Sequence, residues 1–181
     1  MPFQELPSDV LEMLTKYAAS PRLVAHLTIV HDVAITLMKQ IDACWPLLDY
    51  DRDRVLIGAA THDVGKTVYP NELTGPGSQH EEIGLQLLLD SGFPETHARF
   101  ARTHGQWGQE ALVQLEDTLV AFADTIWKGK RNESLEQEIA QQIAKQGQEE
   151  TWEVFMKLDD IACELAKDAH DRILWQGKYP L

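Results

Sequence analysis

Cysteine is nearly absent from the chain. Two occur in 181 residues, Cys44 and Cys163, far apart and without a CxxC spacing. That excludes a disulfide framework and suits a reducing compartment. Positive charge is also scarce. Lys and Arg number 16 against 29 Asp and Glu, for a formal net charge of −13. A general nucleic-acid binder carries a basic stripe and a membrane-surface protein a basic cluster, so the balance argues against both. No apolar run approaches the ~20 residues of a membrane span. The opening MPFQELPSDV has neither the basic nor the apolar region of a signal peptide. The expected location is therefore the cytoplasm. Strand alternation, a GxSxG elbow and a convincing Cys–His pair are missing too. The segment DVGKT has Lys and Thr but lacks the upstream glycine spacing of a phosphate-binding loop.

What remains is helical periodicity nearly everywhere. The length suits one domain with a sizeable core, and residues 1–181 read as a single all-α unit. Ser8 and Asp9 cap a helix over about 9–18. Ser20-Pro21 opens a long one, and Trp45-Pro46 ends it near Cys44. A third helix, about 52–63, is nearly all apolar in its second half, with Gly65 as its expected stop. Residues 66–78 form the one long irregular stretch, a candidate lid or specificity loop. Further helices are expected at about 79–91, 95–104, 115–128, 133–146 and 149–175. The last shows Trp152, Phe155, Leu158, Ile161, Leu165 and Ala169 at spacings of three and four, a core-facing stripe.

Seven histidines are present, and their placement matters more than their number. His62-Asp63 closes the most apolar helix, in AATHDVGK. Asp124 is embedded in the apolar LVAFADTIW. His104 ends a helix in FARTHGQW, and His80 begins one in SQHEEIG. Burying such groups is costly unless charge pairing or a metal satisfies them. Imidazoles with carboxylates and no thiolates suit Fe, Mn, Co, Ni or Zn in a reactive rather than a structural site.

The pattern H…HD…H…H…D resembles the HD-domain metallohydrolase superfamily in its two-metal variant, over about residues 20–130. AATHDVGK looks like the family signature, and SQHEEIGLQLL like the helix after the loop in binuclear members, including the HD-GYP phosphodiesterases. FARTHGQW and AFADTIWKGKR look like segments of the bacterial symmetrical dinucleoside-tetraphosphatases. The GYP segment is missing, which disfavours cyclic di-GMP. The helices of 133–175 carry no family signature and are expected to pack on the rest.

The first histidine ligand is either His26 or His31, which share a helix. At roughly 100° per residue, His26 falls inside the apolar face near Val30 and Val33, and His31 at its flank. The family register, His followed by Val at +4 and Ala at +8, also fits His26-Val30-Ala34, so His26 is preferred. The resemblance then implies one metal on His26, His62, Asp63 and Asp124, and a second on Asp63, His80 and His104, with one or two divalent transition metals per chain. His97 and His170 are left outside. Two bridged metals generate hydroxide and neutralise phosphoryl charge. Asp63 and Lys66 are the expected catalytic groups, Lys66 as a phosphate contact. Lys66, Lys128, Lys130 and Arg131 are the substrate-binding candidates; the 128–131 cluster equally suits a helix C-terminus. Tyr69 and Trp107 are candidates for stacking on a base.

The expected activity is metal-dependent hydrolysis of a phosphate ester or anhydride in a small molecule such as a nucleotide. The competing enzyme class is an HD-fold diiron oxygenase of the myo-inositol-oxygenase type, which uses the same six ligands. A non-catalytic regulatory domain is the third class. No nucleic-acid duplex and no membrane is expected as partner, and the apolar C-terminal helix suggests a homodimer contact. The charge of −13 does not exclude one small phosphate, because bound divalent cations are absent from that sum.

Overall fold

A computed structural model describes residues 3–106 and 113–181. Among these residues all regular structure is helical. In chain order the helices are α1 (Ser8–Lys16), α2 (Pro21–Cys44), α3 (Arg52–Thr61), α4 (Gln79–Asp90), α5 (Glu95–Ala98), α6 (Phe100–Thr103), α7 (Leu115–Ile126), α8 (Glu133–Gly147), α9 (Thr151–Ala166) and α10 (Ala169–Gln176). Two 3₁₀ turns, Val64–Thr67 and Pro70–Leu73, give shape to the segment between α3 and α4.

The starts of the helices follow from local chemistry. Ser20 accepts a hydrogen bond from the Leu23 N–H, and Pro21 sits at the first helical position, so α2 begins where expected. Asp51 caps α3 in the same way through the Arg54 N–H. Gln114 and Asp117 form a reciprocal capping box at the start of α7. Asp117 is fully buried and also accepts from Thr103 Oγ1 (2.8 Å) and from the Arg99 guanidinium. That network fixes α7 against α5 and α6.

Two apolar clusters fill the interior. The larger joins α2, α3, α7, α8 and α9 around Leu37, Leu119, Phe122 and Leu158. The smaller joins α1, the start of α2, α4 and the α5–α6 pair around Val10, Leu14, Leu23 and Leu88. Two helices change cluster along their length. On α2, Leu23 and Leu27 belong to the smaller one and Ile29 onward to the larger. On α3, Ala59 belongs to the larger and Ala60 to the smaller. His26 and His62 stand beside these crossover points, so the polar centre lies along the seam between two dry cores.

Several expectations need correction. The helix expected at 95–104 divides at Arg99 into α5 and α6, and that expected at 149–175 divides at Lys167–Asp168 into α9 and α10. At the second break, the Lys167 N–H closes on the Glu164 carbonyl, and Arg172 reaches back 2.6 Å to the Leu165 carbonyl. Trp152 lies outside the core-facing stripe: it is 65% exposed at the first turn of α9, while Leu158, Ile161 and Leu165 are buried. Gly65 does not stop α3. It lies inside the first 3₁₀ turn, where a Cβ would stand 1.9 Å from the His80 carbonyl oxygen. Glycine is needed there for close approach of two backbones, not for a left-handed turn. His31 is buried rather than at a flank. Near it, Asp32 accepts from the Gln4 N–H and α10 packs on α2.

Candidate metal centre

Four helices and one turn deliver six side chains to the seam. His26 comes from α2, His62 and Asp63 from the end of α3, His80 from the first turn of α4, His104 from the residue after α6, and Asp124 from α7. Asp63 is at the centre. Its Oδ2 is 3.0 Å from His26 Nε2 and 3.6 Å from His62 Nε2. Its Oδ1 is 3.2 Å from His80 Nε2 and 3.6 Å from His104 Nε2. Asp124 Oδ1 reaches the first pair, at 3.3 Å from His26 and 3.5 Å from His62. Two donor groups that could each hold a metal ion share Asp63: His26–His62–Asp63 and Asp63–His80–His104.

The far nitrogens of three rings are tied outward. His62 Nδ1 is 3.1 Å from the Ala59 carbonyl, and His104 Nδ1 is 3.1 Å from the carbonyls of Phe100 and Ala101. His80 Nδ1 is 2.5 Å from Glu72 Oε2. Carbonyl and carboxylate oxygens only accept, so each Nδ1 carries the proton and donates it. Each Nε2 lone pair is thereby turned to the centre, the tautomer a metal ligand needs.

The chemistry of the donor set fits a divalent cation. Asp63 Oδ1 and His80 Nε2 are both buried and both without a hydrogen-bond partner, although they face each other. Buried polar atoms in that condition are costly, and a cation between them satisfies both. Imidazole plus carboxylate, with no sulfur, matches Fe, Mn, Co, Ni or Zn.

The electrostatics point the same way. Burial works to raise the Asp63 carboxyl. The imidazoles of His62, His26 and His80, together with Lys66, outweigh it and hold the group well below the usual range. Asp124 is likewise opposed by burial and held low by His26 and His62. Burial, aided by repulsion from His62, pushes the His104 imidazole down to about 4, so that ring is neutral.

The other candidates separate clearly. Lys66 lies at the centre, with Nζ 2.6 Å from Asp63 Oδ2 and its side chain 17% exposed. Arg131 is drawn away: it pairs with the buried Glu136 and, at 2.6 Å, with Asp159. Lys128 lies over the Trp127 ring at 5.6 Å, and that ring stands edge-on to His26 at 5.4 Å between centroids. Lys130 is exposed beyond α7. The four basic residues therefore do not form one patch. His97 contacts Asp53 and His170 is exposed on α10, both outside the centre. His31 belongs to neither donor group. Tyr69 precedes the second 3₁₀ turn; Trp107 lies outside the described residues.

Sequence reasoning missed Glu72. It sits in the segment read only as irregular, and no periodicity marks it. A carboxylate shortly before a histidine that opens a helix was the available signal.

The family model described as "HD domain" matches residues 9–176. A relative named tRNA (cytidine(56)-2'-O)-methyltransferase, from Thermoplasma volcanium, is 26% identical over 162 residues. The match covers 82% of this chain but 44% of that protein, so the chain spans less than half the length of the curated relative. No solved structure matches significantly. No helix of the described residues is long and apolar enough to cross a membrane.

Proposed function

The chain belongs to the HD-domain family, and on that premise we propose that it is a metal-dependent phosphohydrolase acting on a nucleotide or another small phosphorylated molecule. The observation that carries the reading is Asp63, a buried carboxylate with one oxygen turned to each of two imidazole groups. In this reading His26, His62, Asp63 and Asp124 hold one cation, and Asp63, His80 and His104 hold another. Divalent ions supply hydroxide at neutral pH and neutralise charge on phosphoryl oxygens.

The remaining work falls to the chain. The outward ties of His62, His80 and His104 keep their Nε2 atoms aimed without reorganisation. Lys66, whose ammonium pairs with Asp63, turns from that carboxylate to a phosphoryl oxygen when substrate enters. Lys128, one turn beyond Asp124 and over the Trp127 ring, is the next phosphate contact. Arg131 is assigned to structure by its two carboxylate partners. The methyl transfer named for the Thermoplasma volcanium protein concerns a chain more than twice as long as the matched part. A net charge of −13 also suits a small phosphate on metals better than a long polyanion.

The test is phosphate release from nucleotides, dinucleoside polyphosphates and simple phosphoesters by protein purified without chelator, with Mn²⁺, Fe²⁺ or Co²⁺ added. Metal-dependent release of phosphate or a nucleotide is expected, with a dinucleoside polyphosphate as the first substrate to try. Bound iron with O₂-dependent substrate loss and no phosphate release selects the diiron-oxygenase chemistry instead. Less than about one tightly bound metal per chain, without activation by any of the three ions, removes both enzyme readings.

A further inference from the structure

One buried carboxylate near the centre is not used by the reaction. Glu72 leaves the second 3₁₀ turn and runs under the start of α4. Its Oε2 meets His80 Nδ1 at 2.5 Å and the His80 backbone N–H at 3.1 Å. Its Oε1 accepts from the Gln79 N–H, also at 3.1 Å. Ser78, the residue in the capping position of α4, makes no side-chain capping bond. Glu72 thus satisfies two of the free N–H groups of that helix from six residues upstream of Ser78. The loop is shaped around it: a Cβ on Gly77 would stand 2.3 Å from Glu72 Oε1, so a larger residue there would displace the carboxylate.

The other two tied rings are held differently. His62 and His104 donate Nδ1–H to backbone carbonyls, which are neutral. Of these three rings, His80 alone donates its Nδ1–H to a carboxylate. An anion on the far nitrogen makes an imidazole a stronger donor at the near one and fixes its orientation. It also adds a negative charge on the side of Asp63 where Asp124 contributes none.

We propose that Glu72 is the positioning residue of the second metal half-site. It holds His80 Nε2 toward Asp63 Oδ1 and makes occupancy of that half-site depend on the 70–78 segment staying closed beneath α4. This rests on the two-metal reading above but concerns the asymmetry between its halves.

The experiment is calorimetric titration of metal-free protein with Mn²⁺, comparing the natural chain with Glu72→Gln. Glutamine keeps the length and one carbonyl acceptor but removes the charge and turns the second oxygen into an NH2 donor, so one of the two α4 N–H groups loses its partner. The natural chain should show two binding events. In Glu72→Gln one event, the one that His104→Ala also weakens, should lose about 10–100-fold in affinity, the usual cost of removing such a partner, while the other is unchanged. Amide exchange at Gln79 and His80 should slow on metal addition in the natural chain and not in the variant. A cooperative thermal transition in the metal-free variant, lowered by no more than the loss of one capping hydrogen bond, separates charge loss from misfolding. Glu72→Asp, which restores the charge on a shorter arm, should recover part of the affinity.

Equal weakening of both events, no weakening of either, or a natural chain with a single event overturns the inference. A natural chain that binds no metal at all overturns the phosphohydrolase reading itself, and so distinguishes the two failures.

Discussion

The two halves of the polar centre are built in different ways. His26, His62 and Asp124 belong to α2, α3 and α7, long elements that meet in the larger core around Leu37, Leu119 and Phe122. His80 and His104 belong to the first turn of α4 and to the end of a helix four residues long, resting on the smaller core. On the first side, orientation comes from packing over many helical turns. On the second it comes from specific polar ties: Glu72 to His80, the Asp117 network under α6, and backbone contact at Gly65. A site of this kind has a frame and a flap-side wall, and only the frame is written in hydrophobic periodicity.

The strongest way to break the comparison is to remove what the halves share. Asp63→Asn should strip metal from both groups and lower kcat/KM by at least about 10³-fold, on the order of 4 kcal/mol. Metal content by elemental analysis and phosphate release check it together. Full metal retention in that variant would mean that Asp63 does not join the halves.

Next in size are single ligands from each side. His26→Ala should weaken one binding event by more than about 100-fold, beyond the usual cost of losing an outer partner. His104→Ala should weaken the other. His31→Ala should keep most of the metal, and the reverse outcome for His26 and His31 would move the first ligand by five residues.

Lys66 and Arg131 give a smaller and opposite pair. Lys66→Met should cost about 10-fold in kcat/KM, roughly 1.4 kcal/mol, with melting little changed. Arg131→Met should leave turnover intact and cost about 1–3 kcal/mol of stability, because Glu136 stays buried with fewer partners. Urea unfolding beside steady-state rates separates the two.

The subtlest expected difference is dynamic. In metal-free protein the amides of Gln79 and His80 should exchange faster than those of α2 around His26, since local opening there needs only the loop to lift. Native-state hydrogen exchange measures it, and equal protection would dissolve the distinction between frame and wall.

The sequence is legible in proportion to that distinction. The capped start of α2, its end at Trp45-Pro46 and the apolar second half of α3 are local signals, and the helices stand where those signals put them. His62-Asp63 and Asp124 stood out because a charged group in an apolar run has no cheap resting place. The preference for His26 over His31 rests on their separation of about 140° around α2 and on the family register, although both side chains are buried.

What escaped was tertiary. Glu72 acts across a loop whose path no periodicity encodes. Arg131 looked like part of a basic cluster because Glu136 and Asp159, on α8 and α9, are invisible as its partners until those helices pack. Trp152 kept the spacing of a core residue but lies where α9 begins, past the reach of the apolar cluster.

The Gly65 contact has a consequence for ion choice. Asp63 and His80 are separated in the chain by a long excursion, yet their backbones are clamped within two residues of Asp63 by main chain touching main chain. If Asp63 and His80 hold an ion as proposed, that main-chain clamp limits how far the two residues can part, like the jaws of a caliper. A stiff gap discriminates by ionic radius and preferred geometry, whereas raw affinity for nitrogen and oxygen ligands follows the same rank order at almost any site. Gly65→Ala would act as a spacer slipped between the jaws, and under the two-metal reading its ion preference should shift, which parallel titrations with several divalent ions check.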